Sequence, residues 1–156
     1  MTMTAWGAFA SAAPTIAARG RDLLYRTGHG AGLLVTVRGA EPPRAHPVSV
    51  GIVDDGLYVF VLPSPKLQDL ETDGRYALHA HFDPQAPDEF LIRGRMRSVP
   101  DARRQVLAAD WSWTVGQARC FELLIEDALY GERPTADDWP PRYTAWSSSE
   151  LDVDRP

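Results

Sequence analysis

Two basic residues set around a hairpin carry the first chemical signal: Arg44, and Lys66 within Ser64-Pro65-Lys66. Arg44 opens one predicted strand. Ser64-Pro65-Lys66 closes the next strand and starts a short helix. Ser64 suits an N-cap, Pro65 the first helical position, and Gly74 the stop. A helix start presents free backbone N–H groups and the positive end of a dipole, which together attract phosphate. Lys66 adds a full charge there, and Arg44 offers a fork for the same anion. An ordinary capped surface helix with solvated charges is the plain alternative.

Other chemistry-bearing residues are sparser. His79 and His81 stand two apart on a predicted strand, a spacing compatible with a metal pair, but no third ligand is evident. His46 suits either a hydrogen bond to a ring or phosphate, or a plain place at a strand edge. His29 lies in a glycine turn and reads as a surface residue. Trp111 and Trp113 suit core or interface filling more than a ligand wall. Cys120 has only Arg119 as a basic neighbour and reads as a small buried residue, not a nucleophile. There is no Gly-rich phosphate loop and no nucleophile elbow.

The elements that position these residues follow from periodicity. Residues 4–27 read as helical, broken or restarted at Pro14. From Gly32 the period changes to two. Leu33–Val37, His46–Val53 and Leu57–Leu62 read as strands, the last two joined by the hairpin signal Asp54-Asp55-Gly56. A helix over Pro65–Asp73 buries Leu67 and Leu70. Tyr76–Phe82, Glu89–Val99 and Phe121–Tyr130 follow as strands, with a helix from Asp101 to Asp110 and a possible seventh strand over Tyr143–Trp146. Arg93, Arg95 and Arg97 share one face of the fifth strand, solvated or at a subunit contact. Phe90, Ile92 and Met96 take the other. Six or seven strands with short helices between them imply a mainly β chain with a mostly antiparallel sheet. Closure into a barrel hides its edges.

Composition sets the limits. The chain has 156 residues, enough for one domain with a sizeable core. A net charge of −5 and the lack of any Lys/Arg run argue against nucleic-acid binding. One cysteine permits no internal disulfide, so a cytoplasmic location is expected. No apolar run approaches the ~18 residues of a membrane span. The Ala-rich start lacks the charged and apolar regions of a signal peptide. We expect a single domain over 1–156, with an N-terminal helical segment over 1–30 and a loose tail over 147–156.

This order of elements resembles the flavin-binding split barrel of the pyridoxamine 5′-phosphate oxidase-like superfamily. The resemblance covers roughly residues 5 to 130. It rests on the strand Leu33–Arg38, on Arg44-Ala45-His46-Pro47-Val48-Ser49, and on the hairpin. It rests also on Ser64-Pro65-Lys66 and a helix ending Leu70-Glu71-Thr72-Asp73-Gly74-Arg75, on Tyr76-Ala77-Leu78-His79, and on the strand closing at Arg93-Gly94. The spacing of Arg44 and Lys66 is that of two phosphate-contacting positions in the oxidase. The resemblance implies a six- to seven-stranded antiparallel split barrel and a homodimer with FMN at the subunit interface. It also implies hydride or electron transfer to a small organic substrate. Lys66, Ser64 and Arg44 would then hold the phosphate. Val48, Val59 and Phe60 would wall the ring, with His46, Pro47, Ser49 and Glu89 beside it. Pro47 donates no hydrogen bond and would shape the strand instead.

The chain departs from the oxidase pattern at Pro65, where the pattern has arginine, and at Glu89, where it has a flavin-contacting glutamine. It has no match to the segment that grips pyridoxal phosphate, so vitamin B6 oxidation is not expected. Deazaflavin-dependent reductases and haem-binding proteins share the superfamily. Those readings, and that of a split barrel that has lost its flavin site, stand beside the FMN reading. For a deazaflavin, Arg93, Arg95 and Arg97 would face its acidic tail.

Overall fold

The computed structural model describes residues 3–110 and 116–149. Its elements are α1 (Trp6–Ala12), α2 (Pro14–Leu24), β1 (Ala31–Thr36), β2 (Arg44–Val53), β3 (Gly56–Val61), α3 (Pro65–Thr72), β4 (Arg75–His79), β5 (Glu89–Ser98), α4 (Asp101–Asp110), β6 (Arg119–Glu132) and β7 (Arg142–Ser147). All strand pairs are antiparallel, in the order β3-β2-β1-β4-β5-β6-β7. A further β3–β6 pairing closes six strands into a barrel, and β7 extends the sheet beyond it.

Alternation decides which side chains fill the barrel. Leu34, Val50, Val59, Leu78, Ile92 and Leu123 point inward and are fully buried. The turn between β2 and β3 is the one that Asp54-Asp55-Gly56 signals, with Asp54 at φ 51°, a left-handed conformation that aspartate tolerates better than most residues.

The N-terminal helices belong to the core. Pro14 sits at the first position of α2, so α1 and α2 are two short helices and not one. Trp6 and Phe9 meet edge-on at 5.3 Å, Trp6 reaches Phe90 of β5 at 6.3 Å, and Phe9 reaches Trp146 of β7 at 5.0 Å. Thr4 exchanges two backbone hydrogen bonds with Ile125. Gly20 lets α2 approach β5: a Cβ there would lie 2.4 Å from Phe90 Cζ.

Two expectations meet corrections of extent. The fourth strand ends at His79 and not at Phe82. The segment expected to be loose from residue 147 starts inside β7, and Ser148 is buried. Trp111 and Trp113 lie outside the described residues.

The barrel is open along one seam. β2 and β3 pair only from Val50↔Val59 to Val53↔Gly56. The earlier half of β2, Arg44 to Ser49, pairs with β1 alone. Among the described residues no strand covers its other edge.

Candidate functional site

The site is built where that seam meets α3. Ser64 caps the helix as its sequence predicts: its Oγ accepts from the Leu67 N–H at 3.4 Å, and Pro65 follows at the first helical position. Gly74, at φ 79°, takes the left-handed place after the helix. Leu67 and Leu70 anchor α3 in the core. Lys66 is half-buried beside the helix start, and no carboxylate among the described residues pairs with it. The helix start, its dipole and an unpaired ammonium thus coincide.

Arg44 is anchored differently from the expectation. Its Nε donates to Asp69 Oδ2 at 3.1 Å, so one edge of the guanidinium is engaged with α3 and is not free for a ligand. Arg38 Nε donates to Asp69 Oδ1 at 3.2 Å, and Thr36 Oγ1 donates to Oδ2 at 2.9 Å. Asp69 is only 1% exposed. A carboxylate so buried is tolerable because it receives charge-assisted bonds from two arginines. The arrangement ties α3 to β1 and β2 and fixes its start against the seam.

The open edge supplies backbone donors. Val50 N–H donates to Gly30 O, so in antiparallel register Arg44, His46 and Val48 turn their backbones toward β1. Ala45, Pro47 and Ser49 turn theirs to the open side. Ala45 and Ser49 therefore offer N–H groups there. Pro47 has none, and it also blunts the edge against unwanted pairing. His46 shares the inward face with Arg44 and Val48, and its Nε2 is buried without a hydrogen-bond partner.

The expected apolar wall is corrected. Val48 packs on the edge of the core beside the seam. Val59 is fully buried inside the barrel, whereas Phe60 packs on the opposite face with Tyr58 and Cys120. Neighbouring strand residues point to opposite sides, so Val59 and Phe60 cannot line one wall. Glu89 is also displaced. Pro47, Leu33, His79 and Leu91 lie opposite one another in turn, so Glu89 stands three strands away from Pro47 and two residues along β5 from its row. There it accepts a hydrogen bond from Tyr143 Oη at 2.9 Å, which raises the tyrosine pKa.

The histidine and arginine motifs resolve in the same way. His79 Nδ1 bonds to Ala80 O, and His81 lies beyond the end of β4, so the two do not share a strand face. Arg93 is forked onto Asp127 at 2.9 and 3.1 Å, and Arg97 pairs with Glu122. Arg95 donates to the Asp73 carbonyl at 3.4 Å. Sequence reasoning missed Asp69 and Tyr143. Their partners lie 25 to 54 residues away in the chain, and no local pattern marks either residue.

No family model matches the chain, and no curated protein matches it by sequence. Solved structures do match. A protein from Clostridium acetobutylicum related to general stress protein 26, of the pyridoxinephosphate oxidase family, superposes with a TM-score of 0.60 at 11% identity, over 85% of this chain and 98% of that one. The fold that this chain shares with that structure is an antiparallel split barrel. A FAD-binding protein from Mesorhizobium loti shares this split barrel with a TM-score of 0.56 at 21% identity, over 71% of this chain and 90% of that one. A haem-binding protein from Mycobacterium smegmatis gives 0.60 at 14% identity, over 87% of this chain. The chain spans 60% of the length of that mycobacterial protein. Split barrels similar to this one are thus described as binding either a flavin or haem.

Proposed function

We propose that this chain binds FMN at the seam between β2 and α3 and passes hydride or electrons between the flavin and a small organic substrate. The observation that carries this reading is Lys66: an ammonium without a carboxylate partner, at a capped helix start, beside an open strand edge. The phosphate takes Lys66 and the α3 N–H groups, supported by Ser64. The ring lies along Ala45–Ser49, where backbone N–H groups meet its pyrimidine edge. The redox chemistry is the flavin's, and the chain supplies binding, orientation and dipoles.

A second copy of the chain completes the site in this reading. Pro47, Leu33, His79, Leu91, Leu129 and Ala145 stand opposite one another in register across six strands, on the outer sheet face. All six are half-buried or exposed in the single chain. A face of this kind packs against its own copy in a homodimer with two-fold symmetry. We place this dimer in the cytoplasm, in keeping with its one buried thiol.

Between flavin types, the arginines favour FMN. Arg93 and Arg97 are already neutralised by Asp127 and Glu122, which leaves little free charge for the acidic tail of a deazaflavin. His46 supports a second reading, in which its unpartnered Nε2 ligates a haem iron. The deciding experiment is the absorbance of the purified protein after incubation with FMN and desalting, repeated for Lys66→Ala. We expect the wild type to retain flavin and the variant to bind it at least tenfold more weakly. Equal retention by the variant sinks the phosphate placement. A protein that keeps no flavin but gives a Soret band with haem, lost in His46→Ala, turns the assignment to haem.

A further inference from the structure

A second cleft lies on the outside of the barrel, under α4 and away from α3. In register, Tyr58 of β3 faces Glu122 of β6, and Glu122 faces Arg97 of β5. These three side chains form one row on the outer face. The next row, Phe60, Cys120 and Val99, is apolar and sealed by Leu107 of α4. The sealed row holds α4 down. The polar row emerges at the first turn of α4 as the floor of a cleft of about 340 Å3, which Ser98, Val99, Pro100 and Arg103 complete.

The charges in this cleft are unevenly held. Arg97 pairs with Glu122, whose side chain is 10% exposed. Arg103 lies over the Tyr58 ring, 5.9 Å from its centroid, and its carboxylate partner is Asp54 at 3.0 Å. Asp54 is a turn residue with a 76% exposed side chain, so this pair contributes little and is readily exchanged. Asp101, at the start of α4, faces Arg104 instead, at 3.4 Å. Arg119, at the far side of Ser98, pairs with Glu71 at 3.1 Å. Arg103 is therefore the guanidinium in the cleft whose partner an incoming anion can replace. Gly56 makes the geometry possible: a Cβ there would lie 2.3 Å from Tyr58 Oη.

We propose that this cleft binds a small aromatic carboxylate, with the carboxylate forked onto Arg103 in place of Asp54 and the ring against Tyr58, Val99 and Pro100. A guanidinium matches a carboxylate with two parallel bonds, and the apolar wall accounts for the ring. The volume is near the lower end of ligand pockets, ~300–1,000 Å3, which suits a single ring. The assignment is independent of the flavin reading.

Amide NMR of the full chain titrated with benzoate tests it. We expect saturable shifts concentrated at residues 97–103, and at least tenfold weaker binding by Arg103→Gln with an unchanged melting midpoint. Arg103→Lys keeps the charge, loses the fork and falls between the two. Should Arg103→Gln fail to fold, the lysine variant serves as the test. Absence of saturation up to about 50 mM benzoate, an affinity under 2 kcal/mol by the logarithmic relation, overturns the proposal. So do shifts centred on the start of α3, binding equal to wild type in the folded variants, or inorganic phosphate binding as tightly as benzoate.

Discussion

Arg44 Nε and Asp69 Oδ2 lie 3.1 Å apart, and through this contact the strand that edges the seam holds the helix that starts beside it. Arg38 and Thr36 bind the same carboxylate. Asp69→Asn keeps the shape but leaves two guanidiniums with only the exposed Glu41, at 3.8 and 4.0 Å, as a charge partner. Each arginine keeps about a third of its side chain in water, which tempers the loss. We expect the variant to lose about 2–3 kcal/mol, read from the midpoint of urea unfolding. A loss under about 0.5 kcal/mol would show that the cluster is not a structural anchor.

Gly20 packs α2 against a buried ring. Phe90 is fully buried and belongs to the core cluster, so it cannot swing aside to admit a methyl group. Although alanine is the better helix former by ~1 kcal/mol, the overpacking term of ~1–3 kcal/mol outweighs it. Gly20→Ala should therefore lower the melting temperature, and Gly20→Ala with Phe90→Leu should recover part of it. A melting temperature at or above wild type refutes the close approach.

Cys120 sits beneath α4 with Tyr58 and Leu107. Burial pushes its thiol up to about 12, so it is protonated at any ordinary pH. Disulfide-exchange reagents at pH 8 should label it only as fast as the region opens, with a rate that rises in step with denaturant. Rapid stoichiometric labelling of the native protein would contradict this packing.

Asp73 accepts from Arg75 through both carboxylate oxygens, at 2.6 and 2.8 Å, and from the Gly39 N–H at 2.7 Å. Arg75 first, then Gly39, hold its pKa well below the usual carboxylate range. The sign follows. A pKa lower in the folded chain favours the fold when the group is ionised. The contribution is complete above the unfolded value of ~3.9 and fades as pH falls below it. Asp73→Asn should flatten the acid limb of the stability profile below about pH 4, with little change in slope from pH 6 to 8. An unchanged acid limb would mean that the carboxylate is not so held.

Local chemistry makes much of this fold legible in the sequence. The Ser64 cap, the Gly74 stop, the Asp54-Asp55-Gly56 turn and the two faces of β5 are each fixed by residues within a few positions. Val59 and Phe60 were not resolved, because Leu57–Leu62 is apolar throughout and carries no alternation to say which side faces in. Asp69 was hidden for a different reason. A helix carboxylate normally points to water, and this one is buried only because Thr36, Arg38 and Arg44 arrive from distant strands. The capped start of α3 and the place of Lys66 in its first turn are legible in the sequence. The seam beside them arises from how far β2 and β3 pair, which a hairpin signal does not specify.

Phe9 against Trp146 sets a schedule for synthesis. Helix α1 is synthesised before the barrel strands, and the resting place of its aromatic side chains is completed by β7. Until β7 has emerged, Phe9 lacks its Trp146 wall, and the growing chain leaves that side of its ring uncovered. Stalling or truncating translation anywhere before residue 146 should therefore leave a species that chaperones hold and proteases clear, however well its early hairpin has formed.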